Sequence, residues 1–106
     1  MLNKAGIEAI YLFGSRALGK ESHLSDYDYA VLCRKKGHSK GDPLYFRLYN
    51  LLCDFSPRTL KNDVIDIVFL RDVNLELKFH VIRHGKIIFD GVPKARCAFE
   101  QETTLL

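Results

Sequence analysis

Hydrophobic and polar positions change period several times along the chain, and each change marks an element. Ile10-Tyr11-Leu12-Phe13 is a short apolar and aromatic run that stops at Gly14-Ser15. That predicts a strand closing into a turn, with Arg16-Ala17-Leu18 able to begin a short helix behind it. Tyr27 to Cys33 is β-prone and predicts a second strand. Leu44, Leu48, Leu51, Leu52 and Phe55 then recur at spacings of three and four. They form the stripe of an amphipathic helix, with Asp42-Pro43 as N-cap and first helical residue and Pro57 beyond its end. Residues 64–70 are a near-continuous apolar run, which predicts a strand buried on both faces. Residues 75–84 predict another amphipathic helix, stopped by Gly85. Lys86-Ile87-Ile88-Phe89 predicts a fourth strand, and Pro93 to about Thr104 a last helix. This alternation predicts a mixed α/β fold, with a sheet of about four strands flanked by helices.

Size and composition narrow the picture. A chain of 106 residues supports one domain, spanning 1–106, and can bury roughly two-thirds of its unfolded surface. No apolar run approaches the ~18 residues of a membrane span. Lys4, Gly6 and Glu8 break up the opening residues, so no cleavable signal pattern appears and the expected compartment is cytoplasmic. Cys33, Cys53 and Cys97 are odd in number and far apart, as expected of reduced structural thiols. The net charge of +3 has one concentration, Arg34-Lys35-Lys36 with Lys40. It reads either as a solvated loop or as cations that meet a triphosphate or the acidic face of a partner. Aromatic residues are not interleaved there, so it is not read as a nucleic-acid patch. Tyr45 and Tyr49 lie on a neighbouring helical stripe and are expected to pack. Apolar strands and the C-terminal Thr103-Thr104-Leu105-Leu106 would be covered in a homodimer.

The candidate chemistry begins at the first turn. Gly14 lets backbone approach a ligand closely, and free N–H groups at a helix start point toward an anion. Ser15 would add a hydroxyl donor and Arg16 a permanent charge; the plainer reading is a helix start with Ser15 as cap. Asp26 and Asp28 are two apart at a strand start, so they face the same way. Two carboxylates about 4 Å apart repel by roughly 4 kcal/mol at an effective dielectric of 20. A hard cation such as Mg²⁺, its shell completed by substrate phosphate, relieves that repulsion. The alternative is a solvated turn before an edge strand. Asp66 interrupts the third apolar run, where a charge is expensive unless paired. It either forms a salt bridge or joins Asp26 and Asp28, as metal ligand or as general base. Asp63, beside Lys61-Asn62, is the weaker candidate. Residues 14–20 also match a phosphate-binding P-loop except at the last position, where Glu21 stands in place of Ser or Thr. His80 and His84 have the i, i+4 spacing of a zinc pair, but no acid lies between them and no Cys is near; His84 is expected to sit at the helix C-terminus.

The combination of Leu12-Phe13-Gly14-Ser15-Arg16-Ala17-Leu18-Gly19, Ser25-Asp26-Tyr27-Asp28, Val64-Ile65-Asp66-Ile67-Val68 and Ile82-Arg83-His84-Gly85-Lys86-Ile87-Ile88-Phe89 resembles the nucleotidyltransferase superfamily that includes DNA polymerase beta. Within it the chain is most similar to the minimal nucleotidyltransferases (MNT), small antitoxin partners of HEPN-domain toxins. The resemblance covers Tyr11 to Phe89. It implies a nucleotidyltransferase fold, two Mg²⁺ ions held by Asp26 and Asp28 with the nucleoside triphosphate, Asp66 as third carboxylate, and Gly14, Ser15 and Arg16 at the nucleotide. The implied reaction transfers AMP from ATP to an acceptor hydroxyl, a tyrosine of the HEPN partner, with loss of pyrophosphate. Two other functions remain open: a non-catalytic antitoxin that covers its partner, and transfer to a small molecule or RNA. The chain departs from the family in the helix before the first strand, which is cut short to about residues 2–9.

Overall fold

The computed structural model describes residues 5–14, 27–55 and 65–105. The elements run β1 (Ile7–Phe13), β2 (Tyr27–Cys33), α1 (Pro43–Phe55), β3 (Ile65–Phe69), α2 (Leu75–His84), β4 (Lys86–Asp90) and α3 (Pro93–Thr104). The four strands form one sheet in the order β3-β2-β1-β4. β1 pairs antiparallel with β2 and with β4, whereas β2 and β3 are parallel. A parallel pair cannot be joined by a hairpin, so the chain crosses over through α1. The expected mixed sheet with flanking helices is the fold observed.

Alternation along the strands divides the core in two. On one face Ile7, Ile10, Tyr27, Tyr29, Val31, Ile65, Ile67 and Phe69 pack with Leu48 and Leu52 of α1. On the other, Ala9, Tyr11, Phe13, Ala30, Leu32 and Leu70 pack with Val81 of α2 and Phe99 of α3. Tyr45 and Tyr49 lean on the first cluster, as packing residues. Asp28 and Asp66 alternate with residues of the α1 face, so both belong to the face shared with α2 and α3.

Three expectations need correction. β1 begins at Ile7, so the short helix over residues 2–9 does not extend through Ile7–Ala9; residues 1–4 lie outside the described chain. Buried β-branched and apolar side chains paired against β2 favour strand there over a helix that would have little to pack on. β3 is an edge strand with one face buried and the other only partly covered, rather than a strand enclosed on both. Asp42 precedes α1, but its carboxylate turns backward, accepting from the Ser39 N–H at 3.2 Å and meeting His38 Nδ1 at 3.0 Å. It tightens the loop instead of capping the helix. Gly85 does end α2, yet its φ is −73°. Close packing explains the glycine: a Cβ there would lie 2.5 Å from the Val81 carbonyl oxygen and 3.4 Å from that of Leu12. α2 itself has an ordinary start, with the Asn74 side chain accepting from the Leu77 N–H at 2.9 Å.

Candidate functional site

Parallel pairing of β2 with β3 sets Asp28 directly beside Asp66. Neighbouring strands are about 4.8 Å apart, and cross-strand partners project to the same face. The two carboxylates therefore stand side by side at the start of both strands. At that spacing like charges repel by about 3 kcal/mol at an effective dielectric of 20, less where solvent screens them. Asp28 is partly buried and the Asp66 side chain is 47% exposed. The cost of burying Asp66, which argued for a compensating partner, is correspondingly smaller than its apolar sequence context suggests.

The first turn reaches the same place. Phe13 is the register partner of Asp28 across the antiparallel pair. Gly14 follows with φ +78°, a conformation that side-chain-bearing residues rarely adopt. A Cβ on Gly14 would collide with Asp28 Oδ2 and lie 3.2 Å from its Cγ. Glycine is required twice over, by the backbone and by the carboxylate lying against it. Ser15, Arg16 and Asp26, together with the weaker candidate Asp63, lie outside the described residues.

Lys40 also approaches, its Nζ 3.6 Å from Asp66 Oδ1. With 71% of the Lys40 side chain exposed, this pair is weak and easily exchanged. Sequence spacing grouped Lys40 with Arg34-Lys35-Lys36, but the fold separates them. The Arg34 N–H bonds the Gly6 carbonyl at 2.8 Å, beyond the last residue of β2. Five strand residues, Tyr29 to Cys33, stand between that end and Asp28, a span of about 20 Å. Arg34 and Lys35 instead line a cavity of about 170 Å³ with Gly6 and His38. A triphosphate held at Asp28 would be out of their reach. Nothing in local spacing could have singled out Lys40, because its position depends on the loop after β2 folding back along β3.

On the β1 side, the His80 ring meets Phe13 edge-on, with centroids 6.3 Å apart, and His84 lies 5.2 Å from His80. Among the described residues no group of three His, Cys, Asp or Glu side chains converges as a metal-holding cluster. The zinc alternative for the histidine pair thus finds no further ligand there. The three cysteines form no disulfide, with Cys33 buried and Cys97 exposed.

A mixed sheet that brings a strand-end glycine turn under one of two adjacent aspartates is the scaffold of a nucleotidyltransferase. The family model described as polymerase beta, nucleotidyltransferase matches residues 1–93, and the chain belongs to that family. Its structural neighbours are MNT antitoxins in complexes with HEPN toxins. One is a toxin–antitoxin crystal structure with AMP-PNP, with 29% identity and a TM-score of 0.69, covering 93% of this chain and 73% of that one. Another is the tri-AMPylated Shewanella oneidensis HEPN toxin in complex with MNT antitoxin, with 27% identity, a TM-score of 0.61, and coverage of 93% and 69%. A MntA–HepT toxin–antitoxin structure is similar at 27% identity and a TM-score of 0.61, covering 96% and 72%. No curated protein sequence matches the chain. No helix among the described residues is long and apolar enough to cross a membrane.

Proposed function

We propose that this chain is an antitoxin that transfers AMP from ATP to a hydroxyl, a tyrosine of a HEPN-domain partner, with magnesium at Asp26, Asp28 and Asp66. The observation that carries the reading is the Asp28–Asp66 pair with Gly14 pressed against the Asp28 carboxylate. Oxygen donors from adjacent carboxylates, one of them partly exposed, fit a hard divalent cation. Bound there, Mg²⁺ would supply Lewis-acid stabilisation of charge building on the triphosphate.

The chain's own residues do the rest. Gly14 lets the Asp28 carboxylate lie against the turn, and Ser15 and Arg16, next in sequence, carry a donor and a fixed positive charge for phosphate. Asp28 keeps its carboxylate at the glycine turn. Asp66 serves as third carboxylate, ligand or base, and Lys40 can leave it for a phosphate because their ion pair is exposed and weak. The relatives' complexes with a HEPN toxin, with AMP-PNP and with AMPylated toxin support the partner, the nucleotide and the product.

Co-expression with a HEPN protein should give a stable complex, and ATP with Mg²⁺ should add one or more AMP units to the partner by mass spectrometry. Asp28→Ala should abolish that gain while leaving the fold intact. A partner that stays unmodified, or an Asp28→Ala chain that releases pyrophosphate at the wild-type rate, would sink the assignment. Neutralisation of the toxin by Asp28→Ala without modification would favour the covering antitoxin instead.

A further inference from the structure

The sheet order β3-β2-β1-β4 sets the strand ends beside the candidate site in one row. Asp66 begins it, Asp28 is the register partner of Asp66, and Phe13, followed by Gly14, is the partner of Asp28. The row continues past Gly14. Lys86 is the register partner of Leu12, so β4 starts and α2 ends at this same end of the sheet. Gly85 shows how close they come, because a Cβ on it would lie 3.4 Å from the Leu12 carbonyl oxygen. His80, one turn before the end of α2, rests on the edge of the Phe13 ring, and His84 lies 5.2 Å from His80.

Three basic side chains therefore gather next to the glycine turn: Arg83, His84 and Lys86, all exposed. Among the described residues no ion pair joins any of them to an acid. Asp90 and Glu100, acids of β4 and α3, are held by Arg96 instead. The negative pole of α2 does not cancel this charge. The Gly85 N–H donates to the Val81 carbonyl at 2.7 Å, and Arg83 and His84 stand in the last turn.

Resting on the nucleotidyl-transfer reading above, we infer that Arg83, His84 and Lys86 hold the β and γ phosphates of the nucleoside triphosphate, the pyrophosphate that leaves. In-line displacement puts the attacking and leaving oxygens on opposite sides of the α-phosphorus. With Asp66 taking the acceptor proton at one end of the row, the leaving group points along it, over Gly14 and toward β4. Asp28 and β4 are two strand spacings apart, about 10 Å, a gap that a chain of phosphates and a lysine or arginine side chain bridge together. As the acceptor oxygen bonds to the α-phosphorus, the bond to the bridging oxygen breaks and pyrophosphate leaves with its electron pair. The basic end receives that added negative charge.

Calorimetric titration of the chain with Mg²⁺ and α,β-methylene-ATP, which cannot release pyrophosphate, reads this contact, with AMP as the comparison. Arg83→Ala and Lys86→Ala should each weaken the analogue about tenfold, the worth of one hydrogen bond to a charged group, and leave AMP affinity unchanged. Pyrophosphate should lose affinity by the same factor. Lys86→Arg should keep most of the binding, and His84→Ala, which removes a donor without a fixed charge, should lose less. Because all three side chains are exposed, the variants should unfold at the wild-type urea midpoint. Unchanged analogue affinity in the combined Arg83→Ala, Lys86→Ala variant, or an equal loss of AMP affinity, overturns the inference. Absence of AMP transfer to the HEPN partner by the wild type, with analogue binding intact, is instead the failure of the functional reading.

Discussion

Asp28 and Gly14 can be separated as contributions by substitution. Gly14→Ala would place a methyl group on the Asp28 carboxylate and force a side-chain-bearing residue to φ +78°. The backbone term alone costs about 1 kcal/mol. Displacing the carboxylate adds to it, and AMP transfer should fall at least tenfold as Asp28 leaves its place. In Gly14→Ala combined with Asp28→Ala, the colliding carboxylate is gone and the added methyl lies 3.5 Å from the residue 28 Cβ, an ordinary contact. Urea denaturation should therefore show Gly14→Ala costing less in the Asp28→Ala background than in the wild type. Equal costs in both backgrounds would mean that the collision does not govern this turn. Of the residues at this scale, Gly14, Asp28 and Asp66 were legible in the sequence. Lys40 was not read as a neighbour of Asp66, nor His80 as a neighbour of Phe13, because one gets there by a loop folding back and the other by helix docking.

Elements are held to the sheet by a few specific contacts. α3 is tied to β1 by the Tyr11 hydroxyl, which donates to Glu100 at 2.7 Å. Arg96 then donates to both Glu100 and Asp90, linking the same helix to β4. Tyr11→Phe removes one hydrogen bond to a charged acceptor and should cost about 2 kcal/mol in urea denaturation. Arg96 still satisfies Glu100, so a loss above about 4 kcal/mol would mean that the network does more than fasten α3. Arg71 plays a similar part, donating to the Cys33 carbonyl and to Glu8 while its guanidinium lies over Phe99. β4 is the other edge strand and leaves Ile87 and Ile88 substantially exposed, with a register shift between them and β1. Such an irregularity disrupts the flat row of groups that an edge offers for further pairing. Periodicity located the helices well, since α1 and α2 each turn an apolar stripe to the sheet, and apolar runs located the strands. It misjudged β3, because an apolar run does not say whether a strand is central or at an edge.

For the molecule as a whole, the buried groups predict an alkaline limit to stability. Burial pushes the Cys33 thiol up to about 11, with the Asp72 and Glu8 charges adding to the effect and Arg71 opposing it. Burial, and then the bond to Glu100, also raise the Tyr11 hydroxyl above its ordinary value. Both groups hold their protons more tightly when folded. Stability is therefore full below about pH 9 and falls as pH rises through the Cys33 range, with Tyr11 adding to the loss above about pH 10. Cys33→Ala should flatten the first part of that decline in urea titrations run from pH 8 to 11. An unchanged slope would remove Cys33 as its source. At low pH the corresponding group is Asp42, held below its usual range by His38 and then by the Ser39 N–H; its contribution is lost as pH falls through that lowered value.

The sequence by itself determined the strands, the helices and the residue types at the turn and the two aspartates, because those follow from local period, from backbone freedom and from which side chains can bind phosphate or metal. Only the tertiary structure decided that Asp28 and Asp66 are neighbours, that Lys40 stands apart from the other cations, and that His80 packs on Phe13. Those relations join residues up to 67 positions apart (Phe13 and His80). They are set by strand register, a crossover connection and the docking of one helix on one face, none of which is a property of any short stretch of chain.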